Sequence, residues 1–157
     1  MKCRRIIFLD FDGVLATDNY DDFLIEKKES LRDFFGRKFD PCCVAALKRI
    51  VETTDAEIVI TSSWRQYLNL FGLRLLWIIR RMPGRVMGCT TAVSDNRGLE
   101  IQHWLSVHRG ITSYVILDDM DQRQFEECQA RNLVTCNHYA GLSQNDALTA
   151  IQILMTE

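Results

Sequence analysis

The sequence predicts an α/β protein, a three-layer sandwich in which helices cover both faces of a central parallel sheet. Three observations predict it. Strand-like and helix-like segments alternate along the chain, the order that builds a parallel sheet. The strand-like runs Ile6-Ile7-Phe8-Leu9, Ile58-Val59-Ile60 and Val115-Ile116-Leu117 are apolar throughout, as in strands buried on both faces. Each of these runs ends in a polar cluster, and the carboxyl ends of parallel strands form the rim where ligands bind.

The elements follow in order. Residues 3–9 read as a buried strand, apolar in its second half. Residues 16–39 read as irregular and polar, with short helical pieces. Asp40-Pro41 reads as a helix start, with Asp40 as cap and Pro41 in the first turn. Val44, Leu47, Ile50 and Val51 then recur at helical spacing. Residues 57–61 form a short β-branched strand. A helix is expected over 63–80, with Trp64, Leu68, Phe71, Leu75 and Ile79 on one side. Pro83-Gly84 turns the chain, and a strand is expected at 85–89. A helix over 98–107 gathers Ile101, Trp104 and Leu105. Strands are expected at 114–117 and 133–136. Ser143-x-x-Asp146 has the form of a capping box opening a helix that carries Ala147, Ile151 and Leu154.

At 157 residues and 47% hydrophobic, the chain suits one domain over 1–157, with a core that needs neither disulfide nor metal. The formal net charge is -2 and the pI about 5.9, which argues against a broad basic surface for nucleic acid and leaves room only for a local patch. No apolar run approaches the roughly 18 residues of a membrane span. Asp10 and Asp12 interrupt the first apolar stretch too soon for a secretory leader, so a cytoplasmic protein is expected. The cysteines are Cys3, Cys42, Cys43, Cys89, Cys128 and Cys136, with no C-x-x-C pair. They read as free, mostly buried thiols in a reducing compartment rather than a zinc site.

The chemistry lies in the three rim clusters, Asp10-Phe11-Asp12-Gly13, Thr61-Ser62-Ser63 and Asp118-Asp119. A strand ending in D-x-D-G sets two carboxylates side by side, and their repulsion favours keeping one protonated. That suits a nucleophile beside an acid/base. Gly13 permits a tight turn or a positive φ that lets backbone amides face the site. An ordinary strand-to-turn junction has the same composition. Asp118-Asp119 adds a second acidic pair to the rim, or belongs to a solvated loop with Asp121. Two acidic clusters on one rim make a hard-cation site, and oxygen donors suit Mg2+; no EF-hand-type loop argues for calcium. Thr61, Ser62 and Ser63 offer hydroxyls and amides before a helix start, which favours an anion, or else serve as helix caps. Arg65 and Arg97 are the candidate cations for a phosphate.

These segments resemble the motifs of the haloacid dehalogenase superfamily of hydrolases. Phe8-Leu9-Asp10-Phe11-Asp12-Gly13-Val14-Leu15 resembles its first motif, Ile58-Val59-Ile60-Thr61-Ser62-Ser63 its second and Ile116-Leu117-Asp118-Asp119 its fourth, with Arg97 chosen as its third. Thr61-Ser62-Ser63-Trp64-Arg65, the run from Arg97-Gly98-Leu99-Glu100-Ile101 through Trp104-Leu105, and Gly141-Leu142-Ser143 are further similar to the small phosphatase-like domains of bacterial RNA-repair proteins. With these, the resemblance covers nearly the whole chain. It departs at Met120, where a third acid is expected and which Asp121 could replace.

The resemblance implies a haloacid dehalogenase-like Rossmannoid fold and a mechanism. Asp10 is the nucleophile that forms an aspartyl-phosphate. Asp12 is the acid/base. Mg2+ is held by Asp10, the backbone carbonyl of Asp12 and Asp118, with Asp119 beside them orienting water or Arg97. Thr61 and the Ser62 amide hold phosphate oxygens, and Arg97 balances their charge. Many relatives carry a cap domain that selects small metabolites. Here residues 16–39 occupy the usual insertion point, and about two dozen residues fall short of the roughly 40 that fold alone, so a small flap and an open site are expected. The expected partner is a phosphorylated substrate, either a small molecule such as a nucleotide or a nucleic-acid 3′ end. Arg74, Arg80, Arg81 and Arg85 are candidates to track a phosphate backbone. A phosphate- or metal-binding module without turnover is the alternative from another class.

Overall fold

The computed structural model describes residues 4–92 and 94–156. Cys3, assigned to the first strand from sequence, lies outside the described residues.

Five strands, β1 (Arg4–Leu9), β4 (Glu57–Ile60), β5 (Val86–Cys89), β6 (Ile111–Asp118) and β7 (Leu133–Thr135), form a parallel sheet in the order β5-β4-β1-β6-β7. The strand bearing Asp10 is central, with Phe8 level with Val59 on one side and Ile116 on the other. Side chains alternate between the faces of a strand, so β1 feeds two separate cores. Ile7 and Leu9 face one with Ile58, Ile60, Val115 and Leu117, which α2 (Pro41–Thr54), α3 (Leu70–Ile79) and α5 (Gln144–Met155) cover. Ile6 and Phe8 face the other, smaller core, covered by Ile101 and Trp104 of α4 (Arg97–Val107) and by Phe125. There Phe8 meets Trp104 edge-on at 5.4 Å and Tyr114 at 5.8 Å. The three-layer α/β architecture expected from sequence is the one observed.

The expected caps form. Asp40 accepts from the Cys42 amide ahead of Pro41. Ser143 and Asp146 close a reciprocal capping box at the start of α5.

The helix expected over 63–80 is two elements. Ser62 caps a 3-10 turn at Ser63–Gln66, and Asn69 caps α3 anew by accepting from the Gly72 amide. The second cap resets the helical phase. Leu73, Leu76 and Trp77 are buried, while Phe71, expected on the covered side, is 74% exposed and Ile79 is exposed as well.

Residues 16–39 are more ordered than their composition suggests. They hold α1 (Asp18–Glu26), capped by Thr17, and a short hairpin of β2 (Arg32–Asp33) and β3 (Gly36–Arg37). The buried rings of Phe35 and Phe39 fix this flap to the core. Arg80 clasps it from α3, binding both Asp33 carboxylate oxygens at 2.7 and 2.9 Å while its guanidinium lies 4.4 Å from the Phe39 ring centre.

Among the described residues, no helix is long and apolar enough to cross a membrane. Cys42, Cys43, Cys89, Cys128 and Cys136 are free; Cys43 and Cys136 are buried, whereas Cys42 and Cys128 are exposed.

Candidate active site

The three polar clusters converge at the carboxyl rim of the sheet, because β4, β1 and β6 are neighbours in register and each ends there. Asp10 leaves β1 with its amide donating to Leu117 at 3.0 Å, and the Phe11 amide returns to its Oδ1 at 2.8 Å. Phe11 then turns inward, packed against Phe39 at 5.0 Å and Trp64 at 5.2 Å. Its carbonyl accepts from Val14, Leu15 and Ala16, which wraps the loop tightly. Gly13 sits at φ +75, and a Cβ there would collide with the Asp119 carboxylate. The turn needs a glycine for both reasons. The loop is closed from the far end of the chain: the Leu142 amide donates to Val14 at 2.9 Å, and Gly141 packs against Thr17, Val14 and Cys43.

Asp118 ends β6, fully buried. Its Oδ1 accepts from the Met120 amide at 3.0 Å and its Oδ2 from Arg97 Nη1 at 2.8 Å. The same Arg97 nitrogen lies 3.7 Å from Asp10 Oδ1 and 3.4 Å from Thr61 Oγ1. Arg97 therefore faces the ends of all three central strands. It opens α4, which Asn96 caps by accepting from the Leu99 amide. The next residue, Gly98, brings the helix start against Phe125 and Glu126, and the Gln129 side chain donates to its carbonyl at 2.9 Å.

Asp10, Asp118 and Asp119 each bring an oxygen within 4.8 Å of the others. Burial is the main influence raising the Asp10 carboxyl above its usual range, and Arg97 only partly opposes it. Burial and the nearby Asp10 push Asp118 up to about 7. Two buried carboxylates, Asp10 and Asp118, share one guanidinium, Asp119 has among the described residues only the exposed His138 imidazole, and the donors are all hard oxygens. Those features fit Mg2+, which takes carboxylate ligands and retains water.

Asp12 stands apart from this cluster, with its side chain 42% exposed. Its Oδ2 accepts from the Trp64 indole at 2.9 Å and its Oδ1 from Arg37 at 3.2 Å. Arg37 also binds Asp21 at 2.8 Å and Asp18 at 3.0 Å, tying the flap to the site. Asp119 pairs with His138, whose imidazole that hydrogen bond pushes above its usual pKa.

Arg37, His138 and the indole of Trp64 were not singled out as site residues from sequence. Trp64 carried a signal as part of the Thr61-Ser62-Ser63-Trp64-Arg65 segment, though without a role, and His138 carried one because it follows a strand expected at the rim. The Ser62 hydroxyl oxygen accepts from the Trp64 amide, and Ser63 is exposed at the start of the 3-10 turn. Arg65 lies under the site, paired with Glu100. Asp121 caps the turn after β6 and pairs with Arg123, so it does not join the acidic cluster. Met120 lines a cleft of about 450 Å3 with Ser63, Arg65, Ser94 and Arg97. Of the arginines considered for a phosphate backbone, Arg74 donates to the Val86 and Met87 carbonyls, Arg80 holds the flap, and Arg85 pairs with Glu57.

A parallel sheet whose central strand ends in Asp10, flanked by a hydroxyl-bearing loop and an acidic pair with an arginine between them, defines a haloacid dehalogenase-like α/β domain. A family model described as the HAD domain in Swiss Army Knife RNA repair proteins matches residues 6–147, and the chain belongs to that family. Membership points to a hydrolase and suggests phosphohydrolase activity. The chain matches no curated protein and no solved structure.

Proposed function

We propose that the protein is a Mg2+-dependent phosphomonoesterase that works through an aspartyl-phosphate on Asp10. The observation that carries the reading is the convergence of Asp10, Asp118 and Asp119 on one point, with Arg97 between Asp10, Asp118 and Thr61. Asp10 and Asp118, with the Asp12 carbonyl and Asp119 beside them, would hold the ion, which supplies charge neutralisation at the transferring phosphoryl group.

The remaining steps belong to the chain's own residues. An Asp10 carboxylate oxygen attacks phosphorus, and the bond from phosphorus to the leaving oxygen breaks. Asp12, held by Trp64 and Arg37, gives its proton to that oxygen. It then takes a proton from the water that attacks the aspartyl-phosphate, releasing inorganic phosphate and restoring Asp10. Arg97 and the hydroxyl of Thr61 bind phosphate oxygens, aided by amides of the loop at Gly13 and at Ser62. Thr61 is the better hydroxyl because its Oγ1 lies 3.4 Å from Arg97 Nη1, beside the acidic cluster. Positioning and charge account for most of the rate, as the transition state of phosphoryl transfer is loose.

The substrate is proposed to be a phosphorylated nucleic-acid 3′ end. The small flap and the exposure of Asp12 support it, since a bulky leaving group can approach, and the family description agrees. A second reading, a nucleotide or small-metabolite phosphatase, is favoured by the structural employment of Arg74, Arg80 and Arg85.

The test is phosphate release from an aryl phosphate, a 3′-phosphorylated oligonucleotide and mononucleotides, with Mg2+ or chelator, for wild type and Asp10→Asn. Release that needs both Mg2+ and Asp10 is expected, fastest on the oligonucleotide. Equal rates on mononucleotides select the second reading. A folded wild type that releases nothing from any substrate sinks the proposal in favour of a binding module.

A further inference from the structure

Arg65 carries a charge that the proposed chemistry does not use. Its side chain is 9% exposed, and its Nη2 donates to Glu100 Oε2 at 2.6 Å, where the Glu100 side chain is 4% exposed. Its Nη1 donates to the carbonyls of both Thr61 and Ser62, the latter at 3.0 Å. Those carbonyls belong to the loop whose hydroxyl faces Arg97. Glu100 lies three residues beyond Arg97, one turn along the same helix and on the same side. One guanidinium thus joins the strand end that presents Thr61 to the helix start that presents Arg97.

A buried ion pair is weak evidence of stabilisation, because desolvation offsets most of the attraction. Burial raises the Glu100 carboxyl above its usual range despite Arg65 and Arg97 nearby. What such a pair supplies instead is a fixed relation between the two segments that it joins. We propose that Arg65 and Glu100 are positioning residues that clamp the Thr61-Ser62 loop to α4 and so set Thr61 and Arg97 at one spacing. This rests on the phosphatase reading.

The experiment compares wild type with Arg65→Met/Glu100→Leu, which fills the same space with apolar atoms, and with Arg65→Lys and Glu100→Gln. The double variant is expected to fold with a Tm lower by a few degrees: apolar replacement of a buried pair is commonly neutral, but the Thr61 and Ser62 carbonyls lose the Nη1 donor. Its kcat on an aryl phosphate is expected to fall about tenfold to a hundredfold, the effect of misplacing reacting groups by an ångström or less, with KM moving less. Each single variant is expected to lose about as much as the double, because each breaks the same clamp. Wild-type kcat in the folded double variant overturns the proposal. So does a KM rise confined to the Arg65 variants with Glu100→Gln unchanged, which makes Arg65 a substrate contact. A wild type that releases no phosphate defeats the phosphatase reading alone. Hydrogen exchange then tests the clamp: amides of residues 61–66 and the first turn of α4 exchange faster in the double variant if it exists, and unchanged exchange overturns it. Glu100→Gln carries the same measurements if the double variant does not fold.

Discussion

Replacing Gly98 by alanine tests the placement of Arg97 through its neighbour. In an open helix, glycine to alanine stabilises by about 1 kcal/mol. Here the sign is expected to reverse. A Cβ on Gly98 would stand 2.7 Å from the Glu126 amide nitrogen, 2.8 Å from Phe125 Cα and 2.8 Å from Gln129 Oε1. Carbon contacts settle near about 3.5–4.0 Å, so the helix start must retreat by roughly 1 Å. Two of the three obstacles are backbone and cannot rotate away. Overpacking of this kind costs about 1–3 kcal/mol, and weakening the Gln129 bond to the Gly98 carbonyl adds about 1 kcal/mol. After the helix gain, the net loss is about 1–3 kcal/mol. At about 2–4 °C per kcal/mol for a chain of this size, calorimetry should find Tm lower by several degrees. The same retreat draws Arg97 from its 2.8 Å contact with Asp118, so phosphate release should fall by about tenfold or more. An unchanged or higher Tm with full activity would refute both the close packing and its link to Arg97.

Three other outcomes follow from the same geometry. Trp64→Phe keeps an aromatic ring beside Phe11 but removes the indole donor to Asp12; kcat should drop about tenfold and Tm by several degrees, because the buried indole is larger than a phenyl ring, and a kcat equal to wild type in the folded variant would show that the indole does not orient the proposed acid/base. Mg2+ should raise Tm in proportion to the logarithm of its concentration, by about 2.7 kcal/mol of stability at a hundredfold excess over Kd, and Asp118→Asn should abolish the rise. Burial pushes the Cys43 thiol up to about 12, so at pH 8 roughly one molecule in ten thousand holds it as thiolate. Mass spectrometry after maleimide treatment should therefore find Cys42 and Cys128 modified, with Cys43 and Cys136 labelled only in denaturant.

What was legible in the sequence has a physical pattern. Strands buried on both faces announce themselves by unbroken apolar runs, so β1, β4 and β6 and the polar residues that end them could be placed together. Caps are local chemistry, and Asp40-Pro41 and Ser143-x-x-Asp146 were readable for that reason. The restart at Asn69 was also local, yet the apolar spacing from Trp64 to Ile79 continued through it and masked the break. Arg37, His138 and Glu100 were a different case. Each acts through a partner distant in sequence, and nothing near Arg37 separates it from Arg32 or Lys38 until the hairpin aims it at Asp12. The flap appeared irregular because its order comes from Phe35, Phe39 and Arg80, an anchor that no local pattern records.

The bond from Leu142 to Val14 has a consequence for how the molecule comes to exist. The loop after Asp10 finds its last backbone partner far later in the sequence. During synthesis Asp10 emerges before that partner and stays without its final support until β7 and the turn at Gly141 have been made. The proposed catalysis should therefore become possible only once that turn has closed, and loosening of the turn should release the loop at Asp10 before the sheet itself gives way.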